Sequence, residues 1–95
     1  MSEAFDVVFG RAAAKQLVRM PHQISRKLYA WVAAVKLVGI RRVRQSPGFH
    51  DEPLKGRRAG QRSVRLNQAY RAIYVEQRVG GIVFLEVIEV TKHEY

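Results

Sequence analysis

Residues 61–95 read QRSVRLNQAYRAIYVEQRVGGIVFLEVIEVTKHEY. Three short runs rich in Val, Ile, Leu, Phe and Tyr lie here, separated by turn-forming residues. Ser63 to Asn67 alternates, with Val64 and Leu66 on one face and Ser63 and Arg65 on the other. Asn67-Gln68-Ala69 makes a turn. Tyr70 to Glu76 puts Arg71 on the same side as Ile73 and Val75. Gly80-Gly81 is a hairpin turn. Ile82 to Val90 is nearly continuously apolar, the pattern of a central strand covered on both faces. The stretch therefore predicts a three-stranded sheet with basic side chains on its first two strands.

Working outward, the preceding residues supply what covers such a sheet. Phe5 to Phe9 alternates as a first strand, with Phe5, Val7 and Phe9 on one face, and Gly10 ends it. Arg11 to Arg19 holds good helix formers, with Ala13, Leu17 and Met20 on one stripe. Pro21 stops this helix and opens the next. Gln23 to Val38 carries Ile24, Leu28, Trp31, Val32, Val35 and Val38 at the spacing of a core-facing stripe. Gly39 follows as a C-terminal cap, and Trp31 belongs to the core rather than to a base-stacking surface. Residues 40–60 read as a long connection whose anchors, Phe49 and Leu54, predict an ordered loop. The fold class is α+β, in the order β-α-α-β-β-β, over one domain spanning 1–95.

The formal charge is +9 on 95 residues. It is uneven: residues 41–71 hold nine Lys/Arg against two acids, whereas residues 72–95 hold two against four. Such a block predicts an anionic partner and salt-sensitive binding. With no cysteine there is no disulfide framework and no thiolate metal site. Three scattered histidines do not make a zinc motif, so neither a metal nor another cofactor is expected. No signal peptide or membrane span is expected either, which predicts a cytoplasmic protein.

Within this frame, some side chains carry chemistry. An arginine in mid-strand is costly if buried without a partner. Arg65 and Arg71 lie on neighbouring strands, where together they can bind a phosphate, or each can pair with a carboxylate such as Glu76, Glu86 or Glu89. His93, just after the last strand, suits general acid/base work. Glu52 is one of two acids in the basic block, and is either a base or a charge-balancing ion-pair partner. His50, beside Asp51 and Glu52, competes with it; His22 is a surface residue. Lys55, Arg57, Arg58, Arg62 and Lys92, with His50, are candidate RNA contacts. Tyr70, Tyr74 and Tyr95 are the aromatic residues outside the helices that are open to stacking on bases. RNA cleavage without a metal needs a base for the 2′-hydroxyl, cations for the phosphorane and an acid for the leaving oxygen. Glu52, Arg65 with Arg71, and His93 fill those roles.

Four segments carry a resemblance: Glu52-Pro53-Leu54-Lys55-Gly56, Arg62-Ser63-Val64-Arg65-Leu66, Tyr70-Arg71-Ala72-Ile73-Tyr74 and Lys92-His93-Glu94-Tyr95. In order and spacing they resemble the RelE/HigB group of bacterial toxins from type II toxin–antitoxin systems, over nearly the whole chain. The resemblance implies two helices on one face of a small, mainly antiparallel sheet. It also implies an endoribonuclease that cuts mRNA on the ribosome, held silent by a cognate antitoxin in a higher-order complex. By position, Arg71 matches the phosphate-stabilising arginine and Arg65 a second basic contact. Glu52 matches the general base of the YoeB branch, and His93 and Tyr95 match the C-terminal acid and its neighbour. This chain ends His93-Glu94-Tyr95 where that branch ends Tyr-His-Tyr, and the HigB branch relies more on histidine, which keeps His50 beside Glu52 as the base. The alternatives are a ParE-like toxin that inhibits gyrase without a nuclease site, and a nucleic-acid-binding module without catalysis.

Overall fold

The computed structural model describes residues 3–92. Five strands form one sheet in the order β1-β5-β4-β3-β2: β1 (Val7–Phe9), β2 (Glu52–Pro53), β3 (Arg62–Arg65), β4 (Tyr70–Val79) and β5 (Ile82–Lys92). β1 runs parallel to β5, and the other pairs are antiparallel. Three helices precede β2: α1 (Arg11–Val18), α2 (His22–Val38) and α3 (Ile40–Arg44). The α+β class and the two covering helices stand as expected. No helix among the described residues is long and apolar enough to cross a membrane.

One core joins the helices to one sheet face. Ala13 and Leu17 of α1, and Ile24, Leu28, Trp31 and Val35 of α2, bury against Val64, Ala72, Tyr74, Val83, Leu85, Val87 and Val90. Trp31 is fully buried and its ring lies 5.0 Å from that of Tyr74. Two turns fix the strand register. Gly80 and Gly81 both take positive φ, as a tight hairpin demands, and close β4 onto β5 with Val79 opposite Ile82. At the other end of β4, Asn67 Oδ1 accepts the backbone N–H of Ala69 (2.7 Å) and of Tyr70 (2.8 Å). That side-chain turn sets Arg65 opposite Arg71.

Three sequence expectations change. First, β5 is covered on one face only: Val83, Leu85, Val87 and Val90 are buried while the residues between them are half-exposed. The run looks continuous because Ile82 and Phe84 on the outer side are apolar too, and because of a β-bulge. Ile73 pairs with Glu89 but Tyr74 pairs with Val87, so Ile88 is the extra residue and the inward parity shifts beyond it. Second, the connection at 40–60 contains α3, two single 3₁₀ turns (Pro47–Phe49 and Gly56–Arg58) and β2. Gly39, at φ 84°, ends α2 and opens α3, whose Ile40 and Val43 reach the core. A Cβ there would meet the Glu3 carboxylate at 2.6 Å, and that carboxylate accepts the Arg41 N–H at 2.7 Å. Third, Tyr74 is 1% exposed and offers no stacking surface. The alternation that turns Arg71 outward turns Tyr74 inward.

Candidate active site

The sheet face away from the helices carries Ser63, Arg65, Arg71, Ile73, Glu89 and Thr91 along three neighbouring strands. Beside them the 52–58 segment folds over, and a cleft of about 250 Å³ opens between Glu52, Arg58, Ser63, Arg71 and Glu89.

Arg71 anchors this cleft. Its Nη1 donates to Glu52 Oε1 and to Ser63 Oγ, both at 3.1 Å. Those contacts use both Nη1 hydrogens. Nε and Nη2, the edge that matches a phosphate in bidentate fashion, have no partner among the described residues. Arg65, directly opposite, makes no ion pair or side-chain hydrogen bond among the described residues and is half-buried. The carboxylate partners foreseen for these arginines are thus not the ones found. Glu52 takes Arg71, and Glu89 takes Arg58, whose Nη2 lies 2.6 Å from Glu89 Oε1 while Nη1 donates to Gln61 Oε1 at 2.9 Å.

The other sequence candidates differ in their surroundings. Lys55 and Arg57 are exposed beside the cleft, and Lys92 is exposed at the end of β5, opposite Tyr70. His50 is exposed in the left-handed region (φ 50°), on the rim of a second hollow that Glu52 shares with Arg44. Arg58 and Arg62, by contrast, are already committed to acidic partners. His22 lies at the start of α2, lining a separate hollow between α1 and α2. His93 and Tyr95 lie outside the described residues. Among the described residues, no group of three or more His, Cys, Asp or Glu comes together to hold a metal ion.

A buried network beneath Glu52 was not foreseen. Asp51, its side chain fully buried, accepts Arg62 Nε at 2.6 Å through Oδ1 and the Tyr74 hydroxyl at 2.5 Å through Oδ2. Tyr74 in turn accepts Arg44 Nε at 3.2 Å. Burial raises the Tyr74 pKa far above its ordinary value; its bond to Asp51 acts the same way, and Arg44 partly opposes both. Burial alone would lower the Arg62 pKa, but the hydrogen bond and charge of Asp51 outweigh it and the net shift is upward. The one sequence signal for this network was an acid next to Glu52 in an otherwise cationic segment.

No family model matches the sequence, and no curated protein does. Solved structures do match in fold. A YoeB/ParE toxin from Agrobacterium tumefaciens superimposes with a TM-score of 0.71 at 23% identity, covering 94% of this chain and 99% of that one. YafQ from E. coli strain BL21(DE3) gives 0.69 at 16% identity, covering 93% and 92%. The chain has the fold of the RelE/ParE toxins. A third match, the toxin–antitoxin complex RelBE2 from Mycobacterium tuberculosis, has a TM-score of 0.56 at 21% identity, covering 95% of this chain and 99% of that one.

Proposed function

We propose that this chain is the toxin of a type II toxin–antitoxin pair and an endoribonuclease that cuts mRNA, working on the ribosome. The observation that carries the reading is the register of Arg65 against Arg71 on the sheet face away from the helices, with Glu52 on Arg71. Two cations side by side in a strand ladder repel one another unless an anion joins them. A phosphodiester is such an anion, and the free Nε–Nη2 edge of Arg71 matches two of its oxygens.

The chemistry follows from that placement. A phosphate on the free edge of Arg71 leaves Glu52 on the adjoining Nη1, beside the phosphate. Glu52 takes the proton of the neighbouring 2′-hydroxyl, with His50 as its competitor for the role. The 2′-oxygen bonds to phosphorus, and Arg65 and Arg71 stabilise the charge of the phosphorane. The bond to the 5′-oxygen breaks, and His93, with Tyr95 beside it, supplies the proton to that leaving oxygen. The products are a 2′,3′-cyclic phosphate and a 5′-hydroxyl. Lys55, Arg57 and Lys92 extend the cationic surface along the RNA backbone. An acidic antitoxin segment that covers this face would silence it, and the partner chain in the RelBE2 complex makes such pairing a natural expectation.

The test is made in growing bacteria. The wild-type chain and an Arg71→Ala/His93→Gln variant are induced separately, and 5′ ends of cellular mRNA are mapped within minutes. New cuts inside translated frames that vanish in the variant are the expected result. Growth arrest with intact mRNA and broken DNA would instead move the chain to the gyrase-directed class.

A further inference from the structure

Asp51 is a buried carboxyl group, paired with Arg62, that the proposed reaction does not use. Burying a carboxylate is costly unless it is paired and hydrogen-bonded, and an apolar side chain would anchor a loop with less desolvation. Asp51 is nonetheless fully buried and takes one donor on each oxygen: Arg62 Nε at 2.6 Å and the Tyr74 hydroxyl at 2.5 Å. Arg44 Nε, from the end of α3, reaches the same hydroxyl at 3.2 Å. The arrangement ties α3, β3 and β4 to the residue immediately before Glu52.

Glu52 needs such an anchor. β2 is two residues long, pairing Glu52 with Ser63 and Pro53 with Arg62. Pro53 has no N–H to add to that ladder. On the other side His50 is held at φ 50°, a conformation that persists in a non-glycine residue only where the surroundings impose it. Glu52 itself is about half exposed, and Arg71 is the one polar partner of its side chain among the described residues. Its backbone position therefore decides where the carboxylate can stand, and the Asp51 clamp lies one residue from it.

We propose that Asp51 is a positioning residue for the cleavage reaction: clamped by Arg62 and Tyr74, it holds the Glu52 carboxylate on Arg71 without touching RNA. This rests on the reading of Glu52 and Arg71 given above. The test measures cleavage of an mRNA carried on purified ribosomes by the wild-type chain, Asp51→Asn, Glu52→Gln, the double variant and Arg71→Ala. Asp51→Asn keeps the shape and removes the charge. It should lower kcat roughly 10- to 100-fold with KM little changed, the scale of a misplaced reacting group. In the Glu52→Gln background the same substitution should change nothing further, because what it positions is gone.

If the two slowing factors multiply in the double variant, Asp51 acts on stability alone and the proposal is overturned. Tyr74→Phe keeps the ring against Trp31 and removes one clamp bond. It serves if Asp51→Asn does not fold, and a folded Tyr74→Phe protein that cuts at the full rate overturns the proposal as well. Wild-type rates for both Arg71→Ala and Glu52→Gln would bring down the catalytic reading itself. Slow rates for those two with a multiplying Asp51 effect would bring down only the positioning role.

Discussion

Arg65 and Arg71 stand directly opposite one another across β3 and β4, on the sheet face that no helix covers. Like charges in that relationship destabilise a sheet, and Arg65 has no counter-ion among the described residues to offset this. Stability and function should therefore separate at these positions. Arg65→Ala should stabilise the fold by roughly 0.2–1 kcal/mol in urea unfolding while weakening cleavage. Arg71→Ala should keep the fold and lower cleavage about 10²- to 10³-fold, the scale of losing one charge-stabilising donor. Arg71→Lys should recover only part of that, because an ammonium lacks the planar fork. A folded Arg71→Ala protein with full activity would remove Arg71 from the site.

The register that brings the arginines together depends on Asn67, which satisfies two backbone N–H groups of the turn before β4. Asn67→Ala should cost about 1–3 kcal/mol of stability, from two hydrogen bonds each worth roughly 0.5–1.5 kcal/mol. Asn67→Asp keeps the accepting oxygen and should cost much less. Equal losses for the two variants would show that the turn does not rely on the side-chain acceptor.

Much of this site was legible in the sequence because it rests on period two and on local turns. Val64 and Leu66 inward set Ser63 and Arg65 outward, and the Asn67 turn and Gly80-Gly81 join the strands in order. The helix stripe from Ile24 to Val35 was equally local. What was not legible depends on contacts distant in the chain. Asp51 meets Arg62 and Tyr74, and Glu89 meets Arg58. In sequence these are acids near many arginines, with nothing to choose among partners. The bulge at Ile88 hid the one-sided burial of β5, since the inward apolar positions on either side of it differ in parity. α3 was missed because only Ile40 and Val43 of its five residues reach the core.

The burial of Tyr74, reinforced by its bond to Asp51, has a consequence in alkali. The Tyr74 pKa is raised above its ordinary value of 10.0, so the unfolded chain loses this proton first. The stabilisation is complete below about pH 10 and is lost as the pH climbs from there toward the raised folded value. Wild-type stability should therefore fall between pH 10 and 12 more steeply than that of Tyr74→Phe. At pH 7 the variant should be weaker by about 1–3 kcal/mol, since Asp51 Oδ2 loses its donor. Thermal unfolding of both proteins across that range gives the comparison, and parallel curves would contradict the upward shift of Tyr74.

The identity of the base can be settled by placement and substitution together. Glu52 touches Arg71, whereas His50 sits on the rim of the neighbouring hollow and its side chain has no hydrogen bond among the described residues. On the proposed reading a base must reach the 2′-hydroxyl next to the phosphate that Arg71 would hold, which favours Glu52 over His50. Glu52→Gln should slow single-turnover cleavage by about 10²- to 10⁴-fold, the usual contribution of a positioned base. His50→Gln should slow it much less. His93→Gln should be the most damaging of the three, because an alkoxide leaving group is poor without a proton donor. If His50→Gln is instead the slower enzyme and Glu52→Gln remains nearly intact, the base lies on the histidine, and the Arg71–Glu52 pair serves only to balance charge.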